Sequence, residues 1–183
     1  MSVINDIDVQ ALKDTTAAVR ANPQLGQATF SVNGSWQGGC RLTAQTGALT
    51  QGGERDETRN ARYVMSSDEP TALLGTDSAV SPAEYLLQAL AGCYTVTLTA
   101  LASAQGIELK AYRLELEGDI DLQGFLGIDP TIRPGLQQVR VRLHVDAPNA
   151  PREQLEELIS LVESRSPVRD TLVSPVDVLT TLA

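Results

Sequence analysis

The side chains best suited to nucleophilic or metal chemistry are few: Cys40, Cys93 and a single histidine, His144. A cysteine attacks as its thiolate, and the same sulfur climbs from sulfenic acid to disulfide when it meets an oxidant. Cys40 and Cys93 form no CxxC motif, so neither a zinc knuckle nor a thioredoxin-type pair is expected. His144 falls on the polar side of an alternating run and reads as a solvated surface residue, not a base. That removes Ser-His-Asp catalysis and histidine-rich metal sites. No Gly-rich loop ends in Gly-Lys-Ser/Thr, and no GxGxxG follows a strand, so phosphate-cradling and dinucleotide readings have no support. Asp and Glu are many, but nothing singles out a catalytic pair. Chemistry, where there is any, falls to a thiol, with no metal and no cofactor expected.

Cys93 sits in the most distinctive element. Ser81-Pro82-Ala83-Glu84 is a helix start: Ser81 can accept from free amides, Pro82 fits the first helical position, and Glu84 suits the positive end of the dipole. Tyr85 to Gln105 then carries no charge, and Gly106 ends the run as a left-handed terminator. A segment of that length invites a membrane reading. Gln88, Thr95, Thr97, Thr99, Ser103 and Gln105 interrupt it, and no second such segment exists, so a helix buried on all sides is the better reading. At ~32 Å it is hard for one small domain to cover, which points to a partner subunit.

Around it, residues 4 to 21 read as an amphipathic helix ended by Asn22-Pro23. Residues 28 to 36 read as a strand, Gly38-Gly39 as a turn, and 40 to 46 as a second strand carrying Cys40. Residues 51 to 60 read as a loop and 62 to 66 as a short strand. Tyr112 to Glu117 and Val139 to Val145 alternate apolar and charged residues, forming a hairpin with one buried and one wet face. Its long connection, 121 to 135, is either a functional lid or a surface excursion. Residues 151 to 165 form a second amphipathic helix broken by Ser166-Pro167, and 176 to 182 read as a closing strand. The order is α+β and not alternating α/β. No linker or repeat divides 1–183, so a single domain with an N-terminal helical extension, 1–22, is expected.

The totals fit that reading. The 183 residues are 42% hydrophobic and 20% charged, with a formal net charge of −9. Such an acid excess argues against nucleic acid or an anionic membrane as partner, since both need clustered cations. The first ten residues hold Asp6 and Asp8 and no Lys or Arg, so no secretory signal is expected and a reducing, cytoplasmic compartment is the default.

Ser81-Pro82-Ala83-Glu84-Tyr85-Leu86-Leu87-Gln88-Ala89-Leu90-Ala91-Gly92-Cys93 resembles the central-helix motif of the OsmC/Ohr family of osmotically induced and organic-hydroperoxide-resistance proteins. Asp68-Glu69-Pro70 with Leu73-Leu74-Gly75 upstream, Gly118 to Gly127 downstream, and Arg165-Ser166-Pro167-Val168-Arg169 fit the same pattern. The resemblance implies an OsmC-like fold, an intertwined homodimer with long central helices wrapped by antiparallel sheets. It also implies reduction of organic hydroperoxides or hydrogen peroxide: one cysteine attacks, a second resolves the sulfenic acid as a disulfide, and an Arg and a Glu assist. By position Cys93 matches the attacking cysteine, Glu84 the Glu, and Arg41 the Arg, with Arg62 in reserve.

Ser166 stands where two-cysteine members carry the second cysteine, and a hydroxyl cannot form the disulfide. An oxidised Cys93 is then resolved by an external thiol reductant, by Cys40, or not at all. Glu84 and Cys93 are half a turn out of phase and ~13.5 Å apart along one helix, so a shared site would need a dimer interface or a bend. Three readings stay open: a thiol peroxidase acting through Cys93 on a small hydroperoxide, a non-catalytic dimer that binds small molecules or senses redox state through its thiol, and an inert buried cysteine.

Overall fold

A computed structural model describes residues 3–174 and 176–182; Met1 and Ser2, the start of the expected N-terminal extension, lie outside them. Two compact units emerge: Met1–Val9 with Leu86–Ala183, and Gln10–Tyr85. Both boundaries fall inside helices, so no linker sequence marks them.

The first unit opens on a hairpin, β1 (Val3–Ile4) and β2 (Ile7–Asp8), which leads into α1 (Val9–Ala21). The helix expected from residue 4 therefore starts only at Val9. Asn5 and Asp6 take positive φ, 52° and 60°, which these two residue types tolerate, and the chain reverses there. Asn5 then ties the hairpin down. Its Nδ2 donates to Ser103 Oγ (3.1 Å) and to the Ile107 carbonyl (2.9 Å), and its Oδ1 accepts from the Leu109 amide (2.7 Å). Ser103 Oγ in turn donates to the Ile4 carbonyl at 2.8 Å.

The long helix α2 (Pro82–Ala104) begins and ends where its sequence directs, with Gly106 at φ +73°. Only one stripe of it is buried: Leu90, Tyr94, Leu98, Ala102 and Ser103, at helical spacing. The expectation of burial on all sides is corrected, since Val96 on another face is 69% exposed. By length and composition α2 is also the one helix among the described residues that could cross a membrane; here its buried stripe is the centre of the core. Against that stripe pack β9 (Ala111–Asp119) and β10 (Gln138–Asp146), antiparallel, together with α4 (Arg152–Arg165), whose Leu158 and Val162 are fully buried. The wet face of β9–β10 pairs as its alternation predicts: Arg140 meets Glu117 at 3.1 Å and also holds Asp119, and Arg142 meets Glu115 at 3.7 Å. His144 stands on that same outer face, 3.6 Å from Glu115. The β9–β10 connection contains a short helix, α3 (Leu122–Phe125), capped by Asp121. Ser166-Pro167 ends α4 and also starts α5 (Pro167–Val173), an element the expected break conceals. Residues 176–182 form no strand: they have no regular structure and are exposed, because no neighbouring edge pairs with them.

The second unit holds two small antiparallel sheets. One is ordered β3 (Ala28–Thr29), β6 (Leu49–Gln51), β7 (Glu54–Asp56); the other β4 (Val32–Trp36), β5 (Leu42–Thr46), β8 (Val64–Ser67). The expected strand over 28 to 36 is thus two strands in different sheets, and the loop expected over 51 to 60 contains β7, turned by Gly52 and Gly53 at φ 58° and 88°. Cys40 lies in the turn before β5, not on it, and is exposed. Asp68 closes the unit's last loop. Its buried carboxylate accepts from the amides of Glu69, Thr76 and Ser78 and the hydroxyls of Thr76 and Ser78, at 2.6 to 3.1 Å.

Candidate functional site

Cys93 lies on α2 one residue before the buried Tyr94, which leaves its side chain partly accessible. The position of α4 decides what it meets. Burial of Leu158 and Val162 fixes α4, and Ser166 directly follows it. The Ser166 amide donates to the Val162 carbonyl at 3.0 Å, closing α4. Its Oγ accepts from the Arg169 amide at 3.4 Å, opening α5. One residue thus caps two helices, and it is wholly buried. From that corner the Ser166 hydroxyl donates to Cys93 Sγ at 3.1 Å. The two positions singled out in the sequence, far apart along the chain, are in direct contact. The hydroxyl gives the sulfur a fixed donor.

Beside this contact lies a cleft of about 540 Å³, lined by α2 through Leu90 and Tyr94, by β10 through Val139 and Val141, and by Glu163 and Arg169. Tyr94, not Cys93, reaches it. The Tyr94 phenol is held above its ordinary range, chiefly by burial and further by the negative Glu163; the Arg169 guanidinium, which hydrogen-bonds it, opposes the shift. Arg169 also donates to the Glu163 carbonyl at 3.3 Å. Sequence reasoning passed over Arg169 as a site residue. Its signal is its place three residues after Ser166, where a capping serine must bring the following turn to its side.

The expected helpers are engaged locally. Glu84 and Ser81 form a reciprocal cap: the Ser81 amide donates to Glu84 Oε2 at 2.8 Å, and the Glu84 amide donates to Ser81 Oγ at 3.2 Å. The Ser81 amide, then its hydroxyl, hold the Glu84 carboxyl below its usual value. Arg41 closes its own turn, donating to the carbonyls of Gln37 (3.1 Å) and Gly38 (3.3 Å). Arg62 lies 5.3 Å from the centre of the Tyr63 ring. The Cys40 thiol donates to the Leu74 carbonyl at 3.7 Å. All of these belong to the second unit, whereas Cys93, Ser166, Tyr94 and Arg169 belong to the first. Among the described residues no three His, Cys, Asp or Glu side chains gather as metal donors.

Residues 75–181 match the family model described as OsmC-like protein. An OsmC-like protein from Mycoplasma pneumoniae superposes with a TM-score of 0.62 at 19% identity, covering 80% of this chain and 89% of its own. An organic hydroperoxide resistance protein OsmC from Legionella pneumophila gives 0.56 at 18% identity, covering 81% and 92%. The organic hydroperoxide resistance protein OhrB of Bacillus subtilis gives 0.51 at 17% identity, covering 81% and 93%. At these identities the likeness is one of fold. A comparison with curated proteins finds no match.

Proposed function

The chain belongs to the OsmC-like family, and from that premise we propose that it is a one-cysteine thiol peroxidase acting on organic hydroperoxides or hydrogen peroxide. The observation that carries the reading is the contact of Cys93 Sγ with the buried Ser166 hydroxyl at 3.1 Å. The Cys93 thiolate attacks the terminal oxygen of the peroxide. The O–O bond breaks, the departing alkoxide takes a proton to become the alcohol, and Cys93 becomes a sulfenic acid. Ser166 cannot convert it to an internal disulfide. An external thiol therefore condenses with the sulfenic acid, releasing water and leaving a mixed disulfide. A second thiol then frees Cys93 and leaves as the oxidised pair. Glu84 is committed to Ser81, and Arg41 to Gln37 and Gly38, so the reading rests on Cys93 alone.

The same reading takes the working form to be a homodimer in the cytoplasm, where thiol reductants are available. The single buried stripe of α2 supports the dimer, as do Phe30 and Trp36, each 75% exposed in the second unit.

The test is titration of the purified protein with cumene hydroperoxide and with hydrogen peroxide, following the Cys93 thiol beside a Cys93→Ser control. Saturable loss of thiol, with turnover in added dithiothreitol, is expected. A sulfur that does not react at neutral pH overturns the proposal. Oxidation without turnover supports instead a redox-sensing dimer, a second reading favoured by the same buried Ser166, which leaves the sulfenic acid without a resolving group.

A further inference from the structure

Tyr94 directly follows Cys93 on α2, and it lines the cleft although the residue is only 3% exposed. Arg169 reaches its phenol and hydrogen-bonds it. A guanidinium donates and cannot accept. In that bond the phenol oxygen therefore accepts, and the phenol's own proton is left for another acceptor. Glu163 does not take it, since its carboxylate acts on Tyr94 through charge and not through a hydrogen bond. A buried hydroxyl in this position is satisfied by an oxygen in the cleft, of water or of a substrate. The same short segment ties the phenol to Cys93. The Arg169 amide donates to Ser166 Oγ at 3.4 Å, and the Ser166 hydroxyl donates to Cys93 Sγ at 3.1 Å. Arg169 thus holds Tyr94 with its side chain while its backbone holds the serine that touches the sulfur. Its own place is fixed by its bond to the Glu163 carbonyl at 3.3 Å. A negative charge on Cys93 is felt at the phenol, so the two groups share one neighbourhood.

We propose that Tyr94 is the proton donor to the alkoxide that leaves when Cys93 cleaves a hydroperoxide, with Arg169 as its positioning residue. This rests on the peroxidase reading and supplies the acid which that reading leaves unassigned. The S–O bond to Cys93 forms as the O–O bond breaks. The departing alkoxide takes the phenol proton and leaves as the alcohol. Tyr94 becomes a phenolate beside the Arg169 cation, and water returns the proton, releasing hydroxide. Burial keeps the phenol protonated at neutral pH, which is the form an acid needs. A side chain placed to protonate a leaving group contributes about 10²–10⁴-fold to the rate.

The test is stopped-flow oxidation of Cys93 in the full chain by cumene hydroperoxide and by peroxybenzoic acid, for the wild type and Tyr94→Phe. Both oxidants pass one oxygen to the thiolate. The first releases an alkoxide and needs an acid; the second releases benzoate, a weak base that needs none. Tyr94→Phe keeps the ring in the core. It is expected to slow the hydroperoxide about 100-fold and to leave the peracid within about twofold. Its alkylation by iodoacetamide, which releases iodide, should match the wild type and show an unaltered thiolate. Arg169→Gln, which spares the buried ring, is expected to slow the hydroperoxide about tenfold with the same sparing of the peracid. Equal slowing of both oxidants marks a structural effect and overturns the assignment, as does an unchanged hydroperoxide rate. A wild type inert to both oxidants overturns the peroxidase reading and this one with it. A wild type that reacts, matched by Tyr94→Phe, overturns the role of Tyr94 alone.

Discussion

Replacing Ser166 with cysteine should turn its hydrogen bond to Cys93 into a disulfide. Oγ already lies 3.1 Å from Cys93 Sγ. A C–S bond is longer than C–O by about 0.4 Å, which leaves about 0.7 Å to close before the ~2.05 Å of an S–S bond, within reach of small χ1 rotations. The bond would span a separation of 73 residues. On the chain-entropy model a loop of that size stabilises the folded state by about 4 kcal/mol. For a chain of this length that is a rise of roughly 10 °C in Tm. The assay is differential scanning calorimetry of oxidised and reduced Ser166→Cys protein, with free-thiol counts and intact mass before and after one equivalent of cumene hydroperoxide. The expected outcome is loss of both thiols and a Tm that falls on reduction. If peroxide oxidises Cys93 to the sulfinic acid while the introduced thiol remains free, the reasoning from this contact is refuted.

Leu98 is fully buried in the α2 stripe, so Leu98→Ala should cost about 3 kcal/mol in urea unfolding, the cost of a core cavity. Ser166→Ala removes the cap of α5 and should cost about 1 kcal/mol, measured the same way, while exposing Cys93 to faster alkylation by iodoacetamide. Asp68 is held below the usual carboxylate range, first by the Thr76 hydroxyl and then by the Ser78 and Glu69 donors. Its folded value is depressed, so its contribution is fully present above ~4 and is lost as pH falls below the unfolded value. Between pH 5 and 2.5 the urea midpoint should therefore drop more steeply for the wild type than for Asp68→Asn.

What could be read from the chain beforehand follows a physical divide. The start of α2 was legible because Ser81 and Glu84 satisfy each other within one turn, and its end because Gly106 alone fits the left-handed position. β9 and β10 were legible because each has one buried and one wet face, written as strict alternation. The β6–β7 pair was not, because Gln51 and Glu54 to Asp56 are polar on both faces and only Gly52-Gly53 marks the turn. α5 was hidden by Pro167, which stops one helix and suits the first turn of the next. Cys93 was legible as a lone sulfur in a distinctive helix. Its partner Ser166 was legible only as a missing cysteine, and its role as the corner of two helices emerges only in three dimensions.

The hook that Asn5 makes on Ser103, Ile107 and Leu109 has a practical side for anyone handling the protein. The opening residues look dispensable as an appendage, yet they seal the far end of the helix that carries Cys93. Trimming them, or fusing a bulky tag hard against Val3, would pull on that seal. Purification handles belong at the opposite terminus, where 176–182 carry no regular structure and Leu179 and Leu182 are fully solvated.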